Sequence, residues 1–167
     1  MQRSPVTDNG CDIKDSGSIR HNQMLKLAKA LDSGAYEQLP PLAFLRLNDK
    51  YCPLGVMCDL VAPDKWEPSD KDPGCWKHLG ACSLPTDEVL HAFGCVYSAD
   101  EIRIPMEFLE DHERAEVFRA HRTWNAEWEG DEYLVLPDLN DARIPFTRIA
   151  TLIRQTVVEE QSCENSR

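Results

Sequence analysis

The least ordinary chemistry in this chain belongs to its sulfur and imidazole side chains. Seven cysteines stand at Cys11, Cys52, Cys58, Cys75, Cys82, Cys95 and Cys163. Cys52 and Cys58 fall within YCPLGVMCDL, Tyr51 to Leu60. Cys75, His78 and Cys82 follow, then His91 and Cys95. Thiolate and imidazole are zinc's usual donors in tetrahedral sites. Here the spacings are C-x5-C, C-x2-H, H-x3-C and H-x3-C. None is the C-x2-C turn that wraps a chain round the ion. Cys75, His78 and Cys82 are the metal candidates by residue type, and a zinc-stabilised structural module is one alternative reading. The preferred reading is thiols buried as small apolar side chains, with no cofactor.

Cys52 raises a second possibility. Beside a helix N-terminus its thiolate is favoured by the helix dipole. His78 or His91 is then the candidate base, with Asn140 or Asp141 to orient it. The competing reading turns Cys52 and Cys58 into the core, where a small side chain permits close helix contact. Asn140-Asp141 reads first as a turn whose side chains bond backbone N–H groups. Read instead as ligand contacts, Tyr51, Cys52, Cys58, Asp59, Asn140 and Asp141 would share one pocket in a small enzyme or small-molecule binder. There is no Walker A loop, G-x-G-x-x-G, H-E-x-x-H or G-x-S-x-G, so the standard nucleotide, zinc-protease and hydrolase readings lack support.

Charge points elsewhere. The chain has 29 acidic and 18 basic residues, a net −11. Direct nucleic-acid binding needs a basic face and is not expected. Between Asp100 and Glu132 there are eleven acidic and four basic residues. A helix carrying Glu110, Asp111, Glu113 and Glu116, with Trp124 and Trp128 as aromatic anchors, suits a basic partner. The plainer alternative is a solvated helix face with its tryptophans turned inward.

The elements that position these groups follow from periodicity. Met24, Leu25, Ala28 and Leu31 mark one face of a first helix, capped by Ser18 or Asn22 and stopped by Gly34. LAFLRLNDKY reads as a strand into a turn. A short buried helix starting near Cys52-Pro53 is the preferred reading, since Pro is tolerated at the first helical position; a buried strand is the competing one, because short apolar runs do not discriminate. Residues 62–84 read as a connection pinned by Trp66 and Trp76. LPTDEVLHAFG is a helix with Thr86 as N-cap and Gly94 as stop. EIRIP and EYLVLPDL read as strands around a helical stretch over 106–129. Phe146, Ile149, Ala150, Ile153 and Val157 define a final amphipathic helix.

Several of these pieces occur in a distinctive order: ALDSGAYEQ, YCPLGVMCDL, Trp66, LPTDEVLHAFG and LNDARIPFTRIATLI. Together they resemble a family of small uncharacterised bacteriophage and prophage proteins. That family carries a Y-C-x-L-G-V-x-C-D-L block and a terminal L-N-D…F-x-x-I-A-x-x-I helix. The matching islands span about residues 30–153, and the acidic stretch at about 106–131 departs from the pattern. The resemblance implies a phage-type origin and a shared fold, with no catalytic residues attached.

These readings converge on one compact α+β domain, helix-rich with a small β-sheet, over 18–158. A disordered arm over 1–17 and a frayed tail over 159–167 flank it. No window reaches the roughly 18 apolar residues of a membrane span. The N-terminus lacks a secretory apolar core, so a cytoplasmic protein with reduced thiols is expected. The expected function is a non-enzymatic interaction protein whose partner is a host or phage protein. In its sharper form it inhibits a nucleic-acid-binding or defence protein of the host.

Overall fold

The computed structural model of the protein describes residues 13–41, 43–124, 132–164 and 166. Its helices are α1 (Ile13–Asp32), α2 (Pro53–Val61), α3 (Asp87–Ala92), α4 (Asp111–Trp124), α5 (Leu136–Asp141) and α6 (Phe146–Glu164). Strands β1 (Glu37–Gln38), β2 (Arg46–Leu47), β3 (Lys50–Tyr51), β4 (Trp66–Pro68) and β5 (Cys75–His78) form a sheet in the order β1-β3-β2-β5-β4. Only the β1–β3 pair is parallel. Strands β6 (Ile104–Pro105) and β7 (Tyr133–Leu134) make a separate antiparallel ribbon. The result is the helix-rich α+β fold with a small sheet that the sequence predicts.

Helices α1 and α6 pack against each other most extensively. The α6 stripe is as periodicity demands: Phe146, Ile149, Ala150, Ile153 and Val157 are all buried, joined by Leu152 and Thr156. The α1 stripe is Met24, Leu27, Ala28 and Leu31. Leu25, expected there, is 41% exposed, because one residue turns the helix by roughly 100°. Helix α1 begins at Ile13, so Ser18 and Asn22 lie inside it rather than at its start. Of the expected arm, residues 1–12 lie outside the described residues. At the other end α6 continues to Glu164. There His21 Nε2 lies 2.7 Å from Glu160 Oε2.

Helix α2 sits at the centre. Cys52 is its N-cap, with Sγ accepting from the Gly55 N–H at 3.4 Å, and Pro53 opens the first turn. Pro53 to Cys58 are all buried. Gly55 presses on the β2 side of the sheet: a Cβ there would strike the Leu45 carbonyl. Only a residue without a side chain allows that approach.

Residues 62–84, expected as a connection, instead carry β4 and β5. Beyond β5, Leu79 (φ 50) and Gly80 (φ 84) are left-handed and turn the chain so that Ala81 bridges His78. Strands of three or four residues hold too little alternation to register in sequence. EYLVLPDL divides in the same way: Tyr133–Leu134 is strand, and Leu136 already begins α5.

Candidate functional site: an acidic cleft

Of the pocket residues singled out in sequence, Asp141 lines one of the two described cavities and Tyr51, Cys52, Cys58, Asp59 and Asn140 line neither. Asp59, on α2, is a buttress for aromatic rings. Its Oδ2 accepts from Tyr36 Oη at 2.7 Å and its Oδ1 from Trp66 Nε1 at 2.8 Å. Tyr51 stands edge-on to both Tyr36 and Trp66, at centroid distances of 5.2 and 5.9 Å. The Arg46 guanidinium lies 5.0 Å from the Tyr51 ring, 5.5 Å from Trp66 and 4.4 Å from Trp76. These contacts fasten the short sheet to α2.

Cys52 and Cys58 are both buried. Burial pushes the Cys52 thiol up to about 11, outweighing the backbone N–H bonds that favour its thiolate, and nearby Asp141 pushes the same way. Burial raises Cys58 further still. Helix-end activation of a nucleophile needs a partly exposed, electropositive setting, and α2 offers neither feature. Asn140 is 2% exposed, and its Oδ1 accepts from Gln38 Nε2 at 3.1 Å. Asn140 and Asp141 are the last two residues of α5, not a free turn. Asp141 faces out, lining a surface cavity of about 390 Å³ with Pro41, Glu116, Arg119 and Arg143. Burial, then the negative charge of Asp138, raises the Asp141 carboxyl above its ordinary range.

The metal candidates divide across β5. Cys75 and His78 are three apart on a strand, so they face opposite sides. His78 Nε2 donates to the Ala62 carbonyl at 2.9 Å, and its ring stands 4.9 Å from that of Trp66. Cys75 contacts Cys82 on the other side. Among the described residues no group of three or more His, Cys, Asp or Glu side chains is placed to hold a metal ion.

On α4, Glu110 and Asp111 are exposed, and Glu116 binds Arg119 Nη1 through both oxygens at 2.7 and 2.6 Å. Glu113 does not belong to that surface. It is 6% exposed and grips Arg148 of α6. Trp124 closes α4, but its side chain and all of Trp128 lie outside the described residues.

A larger concavity lies where α1, α6 and the β6–β7 ribbon meet. It holds about 830 Å³. Pro105, Met106 and Tyr133 give it apolar wall, Tyr133 being 46% exposed. Five glutamates line it, Glu101, Glu107, Glu132, Glu159 and Glu160, against Arg20 and Arg103. Two of the five are engaged. Glu101 Oε1 accepts from the N–H groups of Val96, Tyr97 and Ser98 at 2.8, 2.6 and 3.2 Å. Burial pushes its carboxyl up, but those bonds prevail and hold it below the ordinary range. Glu160 faces His21 and Arg20. The carboxylates of Glu107, Glu132 and Glu159 have no partner among the described residues.

Sequence reading missed this cleft because its walls come from positions about 140 residues apart. Glu107 and Glu132 bracket the acidic segment already noted. Glu159 and Glu160 break the apolar period of α6, the one local sign that its last turns face something polar.

The chain matches no family model, no curated protein and no solved structure in comparisons with each. None of the described helices is long and apolar enough to cross a membrane.

Proposed function

We propose that this chain is a non-enzymatic acidic binding protein that takes a basic segment of a partner protein into the cleft between α1, α6 and the β6–β7 ribbon. The observation that carries this is the set of three carboxylates, Glu107, Glu132 and Glu159, that have no partner among the described residues, on a wall that also bears Tyr133 and Met106. Lys or Arg side chains entering there meet three exposed carboxylates, an attraction that steers the partner and weakens as salt rises. Tyrosine and methionine are residue types enriched at protein interfaces. Net charge of −11 speeds encounter with a basic partner at low salt and repels nucleic acid. With the phage-type resemblance, the partner is a host or phage protein in the host cytoplasm. The sharper version is occupation of a host protein's basic nucleic-acid site.

The test is a fluorescence titration with a labelled Lys/Arg-rich peptide at low and high salt. The expected result is saturable binding that weakens as salt rises and drops at least tenfold in the variant Glu107→Lys/Glu132→Lys/Glu159→Lys, with unchanged circular dichroism. Equal affinity in that variant sinks the proposal.

The small-molecule reading keeps one supporting observation, the 390 Å³ cavity at Asp141 with Arg119 and Arg143. A thermal-shift screen against small amino acids and carboxylates, repeated on Asp141→Ala, tests it. A hit whose shift survives that substitution rules out this cavity as its site.

A further inference from the structure

Seven cysteines lie in this chain, and two sulfurs are brought together that neither the aromatic buttress nor the acidic cleft uses. Three constraints place Cys82 beside Cys75. The turn at Leu79-Gly80 is closed by paired bonds, His78 N–H to Ala81 O at 2.8 Å and Ala81 N–H to His78 O at 3.0 Å. That pairing sets Cys82 opposite Lys77, on the same sheet face as Cys75. Strand β2 then ties both ends down: Leu47 is registered with Cys75, and the Leu45 N–H bonds the Cys82 carbonyl at 2.7 Å. The Cys82 thiol is close enough to perturb the ionisation of Cys75, and the Cys75 Sγ donates to the Trp76 carbonyl at 3.7 Å. Cys75 is 1% exposed, whereas Cys82 is half-buried and open to a reagent.

We propose that Cys75 and Cys82 are a disulfide-forming pair, and that a low-molecular-weight disulfide such as glutathione disulfide closes a covalent staple across this hairpin. Cys82 leads because it is the accessible sulfur. Burial, and then its contact with Cys82, pushes the Cys75 thiol up to about 11. Cys82 gives up its proton and attacks one sulfur of glutathione disulfide. The S–S bond breaks, and one glutathione leaves as a thiolate and is protonated. Cys75 then loses its proton and attacks Cys82 Sγ, and the second glutathione leaves in the same way. Two cysteine thiols are oxidised by two electrons, and one glutathione disulfide is reduced to two thiols.

The staple joins residues seven apart in the chain, across a turn that holds Leu79 in the left-handed region. It fixes the strand whose His78 supports Trp66. Constraining that loop removes unfolded-state freedom, so the oxidised form melts several degrees higher.

The experiment incubates the folded full chain with glutathione disulfide, alkylates the remaining thiols, and digests with trypsin at Lys71, Lys77 and Arg103. The expected product is peptide 72–77 joined to peptide 78–103 through Cys75 and Cys82, two hydrogens lighter than the separate peptides and released by dithiothreitol. Cys82→Ser abolishes the link and Cys95→Ser keeps it. Glutathionylation of exposed Cys163 serves as the control that the oxidant acted. If Cys163 is modified while Cys75 is still fully alkylated, the proposal is overturned. A link that persists in Cys82→Ser overturns it equally.

Discussion

Arg148 holds Glu113 at two points, Nε to Oε1 at 2.7 Å and Nη2 to Oε2 at 2.8 Å, and joins α6 to the first turn of α4. Glu113 Oε2 also accepts the Glu110 N–H at 2.9 Å, and Arg148 Nη2 reaches the Phe108 carbonyl at 2.9 Å. Removing Arg148 strands Glu113 in a nearly dry place, and removing Glu113 leaves a half-buried Arg148 without its partner. Glu113→Ala is expected to cost about 3 kcal/mol, measured by urea denaturation, while Glu110→Ala on the same turn stays within about 0.5 kcal/mol.

The same pair gives a pH dependence. The hydrogen bonds from Arg148 lower the Glu113 carboxyl despite its burial. A carboxyl depressed on folding contributes stability that is full above its unfolded value, about 4.3, and is lost as pH falls through the lower folded value. The wild type should therefore lose stability below about pH 4 more steeply than Glu113→Gln. Parallel acid-unfolding curves for the two proteins would contradict this.

Asp141 has the opposite sign. Burial and Asp138 raise its carboxyl, so ionisation works against folding. The penalty is absent below the unfolded value and complete above the raised one. Asp141→Asn is expected to raise the urea midpoint at pH 7, with the gain shrinking toward pH 4.

Gly55 is set against β2 so closely that a methyl group would overlap the Leu45 backbone. Backbone cannot swing aside as a long side chain can. Gly55→Ala should cost about 3 kcal/mol through forced displacement of α2, read as a drop in melting temperature. An unchanged melting temperature would show that α2 and β2 separate freely.

Arg143 occupies the left-handed position just past α5, at φ 59. Its N–H bonds the Asn140 carbonyl, and the Ile144 N–H bonds that of Leu139. That is the helix stop for which glycine is suited. Arg143→Gly relieves about 1 kcal/mol of strain, reduced by the extra freedom glycine brings to the unfolded chain. A net gain of about 0.5 kcal/mol is expected in denaturation, against a loss of about 1 kcal/mol for Arg143→Val.

Much of the fold was legible because its strongest signals are local. Cys52-Pro53 at the head of an apolar run favoured a helix over a buried strand, and Pro53 opens α2. The five apolar positions of α6 lie on its buried face. Gly94, at φ 73, stands where the end of α3 was placed. Where the local signal was thin, the reading missed. The β4–β5 pair lies in a segment rich in Pro, Gly and Asp, and its strands are held by register with β2 rather than by their own pattern. Leu25 and Leu27 are equally apolar, and only the partner helix chose Leu27.

For the candidate sites the division is sharper. Sequence alone determined the charge, the helix-starting role of Cys52 and the residues available for chemistry. Those follow from composition and from interactions spanning three or four residues. Only the tertiary structure decided which groups meet. It sent Asn140 to Gln38, Glu113 to Arg148 and Asp59 to Tyr36 and Trp66, and it set Glu159 in one cleft with Glu107. A carboxylate reads the same in sequence whether it ends in a buried ion pair or on an open wall. What separates the two is the helix packed against it, and packing between distant segments has no fixed spacing along the chain.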